Sequence, residues 1–247
     1  MNKLKLFCFP YAGGSAVIFK KWKQHLDPSI ELRPIELAGR GKRIQEPLYN
    51  DIYEATDDIF HHIYEELIES PYAFFGHSMG AIIAHLLAHK INHTSLAEPM
   101  HLFFAGRGAP HVERQDEKKY HLMDNEDFKK EVINLGGTPP EFFNHPELLE
   151  LFLPLLKNDF KIAETYEHQG EIQALSQNMT VFLGKEDDLT PEQCGEWEKH
   201  TTGTCSTHYF DGGHFFLHDE TIAITDIINR TLIRMNDSKM ALEDLNS

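Results

Sequence analysis

Short runs of apolar residues alternate along the chain with longer stretches in which apolar positions recur every three or four residues. The short runs, Leu4 to Phe9, Ile30 to Glu36, Tyr72 to Phe75, Met100 to Ala105, Met179 to Leu183 and Ser206 to Phe210, have strand length and strand composition. Between the second and third, Ile52, Ile59, Phe60, Ile63, Tyr64, Leu67 and Ile68 mark one face of a helix, with Asp51 as its cap and Glu54 three residues on. Repetition of strand, helix and strand predicts an α/β fold: βαβ units around a mostly parallel central sheet flanked by helices.

A second apolar helix begins at Gly80. Ile82, Ile83, Leu86 and Leu87 form its face, and Gly80, Ala81, Ala84 and Ala88 permit close approach to a sheet. Residues 109–177 break the alternation and read as an inserted helical region. Within it Leu148, Leu149, Leu151, Phe152, Leu153, Leu155 and Leu156 are apolar nearly all round, which predicts a segment that is buried or lines a greasy groove. Pro154 is expected to interrupt or kink it. The whole forms one domain over residues 1–235, followed by a polar stretch, 236–247, that predicts a poorly ordered tail.

Composition narrows the functions available. Hydrophobic residues make up 41% and charged residues 25%, the balance of a globular protein. A formal charge of −16 repels phosphate backbones and anionic membranes, so neither nucleic acid nor a membrane is an expected partner. Cys8, Cys194 and Cys205 have no paired spacing, which fits a reducing compartment. The first apolar run stops at Pro10, too short for a signal peptide or a membrane span, and a cytoplasmic location is expected. No cofactor or metal is anticipated. His85, His89 and His93 recur at four-residue steps, but no Glu follows His85 as a zinc-protease helix requires, and the row reads as an exposed helix face.

The chemistry gathers around Gly76-His77-Ser78-Met79-Gly80, which lies between the strand ending in Phe74-Phe75 and the apolar helix. Strand, sharp turn and helix are the setting of a nucleophile elbow. A serine hydroxyl needs a positioned base, usually a histidine oriented by a carboxylate. His214, in Phe210-Asp211-Gly212-Gly213-His214-Phe215-Phe216, follows the last strand run and is the candidate base; Asp211 lies too close to it to orient the ring and is assigned a structural role. Gly184-Lys185-Glu186-Asp187-Asp188 follows the run before it, offering Asp187 as the acid and Asp188 as the second choice. Charge developing on the substrate oxygen calls for N–H donors. Met79, just after the nucleophile, and Ala12, in Pro10-Tyr11-Ala12-Gly13-Gly14-Ser15 after the first strand, are the candidates. Together these features predict an α/β-hydrolase fold.

With these pieces in place the chain resembles, from about Leu4 to Leu232, the type II thioesterases that accompany nonribosomal peptide and polyketide synthases. The likeness rests on Phe9-Pro10-Tyr11-Ala12-Gly13-Gly14, the Ser78 pentapeptide, Asn134-Leu135-Gly136-Gly137-Thr138-Pro139, Phe152-Leu153-Pro154, Asp159-Phe160 and Phe210-Asp211-Gly212-Gly213-His214. The resemblance implies a hydrolase that frees wrong or stalled acyl groups from the phosphopantetheine arm of carrier proteins, its transient partners. It also implies Ser78, Asp187 and His214 as the triad, and the insertion as a lid. One departure is Leu37-Ala38-Gly39-Arg40-Gly41, where the family has Pro before Gly-Arg-Gly; it should alter loop stiffness. Two other readings stand beside this one: a small-molecule carboxylesterase or lipase, and a non-catalytic binding module on a hydrolase fold.

Overall fold

The computed structural model describes residues 3–112, 118–137 and 145–245. Six strands form one sheet: β1 (Leu4–Phe9), β2 (Ile30–Pro34), β3 (Tyr72–His77), β4 (Leu102–Ala105), β5 (Met179–Gly184) and β6 (Cys205–Phe210). Their spatial order is β2-β1-β3-β4-β5-β6, and every neighbouring pair is parallel. The helices are α1 (Ile52–Glu69), α2 (Met79–Asn92), α3 (Asn125–Leu135), α4 (Pro146–Glu164), α5 (Pro191–Gly195) and α6 (Thr221–Leu245), with short 3-10 turns between them.

Strands β1, β3, β4 and β5 are buried at every position, which is why they read as largely apolar runs rather than an alternation. Their side chains divide by the two-residue period of a strand. Phe7, Phe9, Phe74, Phe104 and Val181 enter a core with α1 and α2, whereas Leu6, Cys8, Phe75, Phe103 and Phe182 enter one with α6 and the 3-10 helix Ala16–Gln24. Strand β6 closes the order at one edge and is half exposed. Among the described residues no helix is long and apolar enough to cross a membrane.

Helix α1 starts where the sequence indicates, because the Asp51 side chain accepts the Glu54 backbone N–H at 2.8 Å. Ile52, Ile59, Phe60, Ile63 and Leu67 are buried, but Tyr64 and Ile68 are exposed and lie off the core-facing stripe. In α2 the expected exposed histidine row is corrected. His85 is buried against Trp197 and His200, His89 is half-buried, and only His93 is exposed. The 3-10 segment Glu196–His200, over a hundred residues downstream, covers that face, a partner local periodicity does not reveal.

Between β4 and β5 the described residues hold α3 and α4 and no strand. Phe128, Val132, Leu153 and Leu156 give this insertion a small core of its own. Helix α4 continues through Pro154 rather than being interrupted there, and Leu148 on it is exposed although Leu153, Leu155 and Leu156 are buried. Thr138 and Pro139, quoted in the resemblance, lie outside the described residues. Residues 236–245, within the stretch expected as a tail, continue α6. No Gly or Pro interrupts the chain from Thr221 to Leu245, so no residue there breaks the helix.

Candidate active site

The chain runs from β1 to β2 on one side and then to β3 on the other, so the connections leaving β1 and β3 diverge at neighbouring carboxyl ends. Such a switch point opens a crevice in a parallel sheet. The Tyr11–Gly14 turn leaves β1 there, and Ser78 follows β3.

Ser78 has φ 53° and ψ −112°, and among the described residues it is the sole non-glycine with positive φ. Strain of this kind persists only where the surroundings enforce it. Its backbone N–H donates to the Ala105 carbonyl at 2.8 Å, and its carbonyl accepts from Ala81 N–H at 3.0 Å. A Cβ on Gly76 would stand 2.1 Å from the Gly80 carbonyl oxygen, and one on Gly80 would stand 2.1 Å from that of Phe9, so both flanking positions must be glycine. Met79 opens α2 and has no intrahelical acceptor for its N–H.

Asp187 and His214 come from the loops after β5 and β6. Backbone bonds zip these loops together: Lys185 N–H donates to the Phe210 carbonyl at 2.9 Å and Glu186 N–H to that of Gly212 at 3.0 Å. His214 Nδ1 lies 2.9 Å from Asp187 Oδ2, and the Asp187 side chain is only 6% exposed. Asp188, the other candidate, is exposed and lines the same cavity, but the carboxylate at His214 Nδ1 is that of Asp187. Asp211 pairs with Lys185 at 2.5 Å on the surface, away from the imidazole.

Ser78, Ala12, Asp187 and His214 all line one cavity of about 610 Å³, whose far wall comes from the insertion, including Tyr120, Leu135, Phe160 and Glu164. A larger depression of about 730 Å³ is a charged groove at the opposite, amino end of the strands, where Lys5 and Arg33 already pair with Glu66. The cavity is therefore the place for chemistry.

Some functional neighbours were not foreseen. Tyr11 packs its ring edge-on against Phe215 at 4.8 Å and bonds its hydroxyl to His218 Nε2 at 2.9 Å; burial pushes its pKa up to about 12, so it remains a neutral phenol. His77 is buried beside His214, ring centroids 5.2 Å apart, and burial holds its pKa well below the usual value, keeping a second positive charge out of the site. Arg40 and Asp159, 119 residues apart, form a buried ion pair at the Tyr11–Gly14 turn. Both lay in motifs already noted, but nothing local signals that they meet. For a metal, the one set of three donors within mutual reach among the described residues is Glu46, Asp58 and His62. Arg43 already bonds Glu46 at 2.9 Å and Asp58 at 2.8 Å, and none of the three lines the cavity.

A parallel sheet with a serine elbow after β3 and a histidine–carboxylate pair after the last two strands defines an α/β-hydrolase fold. A family model described as a thioesterase domain matches residues 4–232, and the chain belongs to the thioesterase family, hydrolases acting on thioesters. The chain is 38% identical over 231 residues to the linear gramicidin dehydrogenase LgrE of Brevibacillus parabrevis, covering 92% of this chain and 87% of that one. Among solved structures, ClbQ from the colibactin nonribosomal peptide/polyketide pathway superposes with a TM-score of 0.89 at 34% identity, covering 96% of this chain and 99% of that one. The type II thioesterase BorB from the borrelidin biosynthetic cluster does so with a TM-score of 0.84 at 31% identity, covering 93% of each chain.

Proposed function

We propose that this protein is a type II thioesterase that releases aberrant or stalled acyl groups from the phosphopantetheine arm of carrier proteins in nonribosomal peptide or polyketide synthesis, with Ser78 as nucleophile. The observation that carries this reading is the shared cavity, in which a serine on a strained elbow and a hydrogen-bonded imidazole–carboxylate pair face a wall supplied by the insertion. The pathways named for ClbQ and BorB support the choice of carrier-bound substrates. The dehydrogenase name of LgrE belongs to that protein; an activated serine serves acyl transfer, not hydride transfer.

In the proposed reaction His214, through the ring nitrogen not held by Asp187, takes the Ser78 hydroxyl proton as Oγ bonds to the thioester carbon. Asp187 fixes the ring and stabilises the imidazolium. The carbonyl oxygen gains negative charge and meets the N–H groups of Met79 and Ala12, donors that typically contribute roughly a hundred- to a thousand-fold in rate each. The tetrahedral intermediate collapses, the C–S bond breaks, and the pantetheine sulfur leaves with the proton from His214. An unperturbed thiol has a pKa of about 8.5, so it is a good leaving group even as thiolate. Water, deprotonated by His214, then attacks the acyl-serine, giving the free acid and restoring Ser78. The insertion acts as a lid over the acyl channel. Repulsion between this chain at −16 and an acidic carrier makes the encounter weak and transient.

The test is a panel of acyl groups loaded on carrier proteins, compared between wild type and Ser78→Ala. Release is expected to depend on Ser78, with the variant near the uncatalysed rate. Much faster turnover of simple oxygen esters by the wild type would identify a carboxylesterase instead. Loss of fluorophosphonate labelling in Ser78→Ala separates either enzyme from a non-catalytic module.

A further inference from the structure

The Tyr11–Gly14 turn is held from a distance by a residue on the insertion. Gly14 N–H donates to the Tyr11 carbonyl at 2.8 Å, and Gly13 has φ +77°, the conformation of a tight turn that needs glycine at its third position. Asp159, on α4 and fully buried, accepts the Gly13 N–H at 2.7 Å through Oδ2. The same oxygen accepts Arg40 Nη1 at 2.6 Å, and Oδ1 accepts Nη2 at 2.8 Å. Arg40, itself 5% exposed, also donates from Nη1 to the Gly14 carbonyl at 2.9 Å and from Nε to that of Ala38 at 3.3 Å. Both partners of the ion pair thus spend hydrogen bonds on the main chain of this one turn.

Among the described residues Ala12 N–H donates no hydrogen bond, whereas the N–H groups of Gly13 and Gly14 and the carbonyl of Tyr11 are all engaged. In a trans peptide the C=O and N–H point in opposite directions. With the Tyr11 carbonyl drawn into the turn by Gly14, Ala12 N–H is turned outward, and Ala12 lines the cavity that holds Ser78. Helix α4 seats directly on the turn, since a Cβ on Gly13 would lie 2.4 Å from Leu156 Cδ1 and 3.2 Å from Phe152 Cζ. A buried ion pair roughly breaks even in stability against apolar residues of similar volume, so stability alone is a weak reason for this one.

We propose that Asp159, with Arg40, is a positioning residue for the oxyanion hole. Its carboxylate holds the Gly13 peptide so that Ala12 N–H keeps its aim. Because Asp159 rides on α4, the hole is complete only while the insertion is docked on the turn, and docking and catalytic competence are coupled. This rests on the reading of Ala12 as an oxyanion donor given above.

Asp159→Asn is the test, with circular dichroism and a melting curve establishing that the variant is folded. Expected are a kcat lower by roughly ten- to a hundred-fold, below the full loss of one donor, and a KM within about threefold of wild type. A boronic acid that forms a tetrahedral adduct on Ser78 should lose affinity in parallel with kcat/KM, while an unreactive thioether analogue of the substrate keeps its affinity. A merely structural role would weaken both ligands alike or lower activity only with the folded fraction, and either result overturns the proposal, as does an unchanged kcat. If Asp159→Asn does not fold, Arg40→Lys, which keeps the positive charge but loses the two-pronged contact, carries the same measurements. The rate of fluorophosphonate labelling of Ser78 passes through an oxyanion without reference to the natural acyl group. Slower labelling in the variant therefore supports the clamp even if carrier thioesters prove to be the wrong substrate, and unslowed labelling rejects it.

Discussion

At the scale of single residues, the two adjacent carboxylates after β5 have different surroundings. The Asp187 side chain is withdrawn from solvent and bonded to His214, whereas Asp188 is exposed. Asp187→Asn leaves the imidazole in the wrong tautomer and is expected to lower kcat on the order of a thousand-fold or more. Asp188→Asn should stay within about threefold. Steady-state kinetics on one acyl thioester decides, and equal losses would show that the pair found here is not the working one. Ser78, His214 and the carboxylate pair were legible in the sequence because each follows a strand run at a glycine-rich turn. Arg40 and Asp159 were legible only as members of separate motifs, since an ion pair across 119 residues leaves no local periodicity. Sequence spacing ranked Asp187 ahead of Asp188; which of them meets His214 follows from the loop's backbone path, in which Asp187 N–H returns to the Gly184 carbonyl at 3.2 Å.

At the scale of elements, apolar runs and caps located the strands and α1 well, with shifts of one or two residues at their ends. Strand β3 extends to His77, beyond its apolar run, because pairing with β4 reaches from His77 to Ala105. Polar residues near a strand end are thus recruited by the neighbouring strand. The cap on α1 is a local feature with a local cost. Asp51→Ala removes the acceptor of Glu54 N–H and is expected to destabilise the protein by about 1 kcal/mol, a fall in Tm of about 2–4 °C. Activity at temperatures well below the transition should be unchanged. What periodicity misjudged was the surroundings of α2 and α4, where apolar character alone does not say which side meets another element.

For the molecule as a whole, the histidines make stability depend on pH. His85 and His89 share a hydrogen bond at 3.1 Å, and His111 Nδ1 lies 2.8 Å from His200 Nε2 with Glu196 on its other nitrogen at 3.0 Å. A bond between two imidazoles needs one nitrogen without a proton, so neither pair survives double protonation. Burial, then repulsion from neighbouring histidines, lowers His89 to about 4 and His200 to about 3, and pushes His85 well down. Burial alone lowers His101 to about 4. An unfolded histidine titrates near 6.5. Between that value and the lowered ones the unfolded chain binds more protons, so the stabilisation is complete above about pH 6.5 and is lost as pH falls towards 4. Urea midpoints measured from pH 7.5 to 4 should decline steadily below about 6.5. A flat profile would mean that these rings are solvated in solution.

The ladder between the loops after β5 and β6 has a hereditary consequence. Its hydrogen bonds run between main-chain groups, beside the surface Lys185–Asp211 ion pair, so side-chain changes at 185 and 186 other than to proline leave those backbone bonds in place. One residue earlier there is no such freedom, because a Cβ on Gly184 would stand 2.4 Å from the Gly213 carbonyl oxygen. A position closed to any side chain and one whose side chain is outside the ladder therefore lie side by side, and what separates them is whether the neighbouring loop touches backbone or side chain.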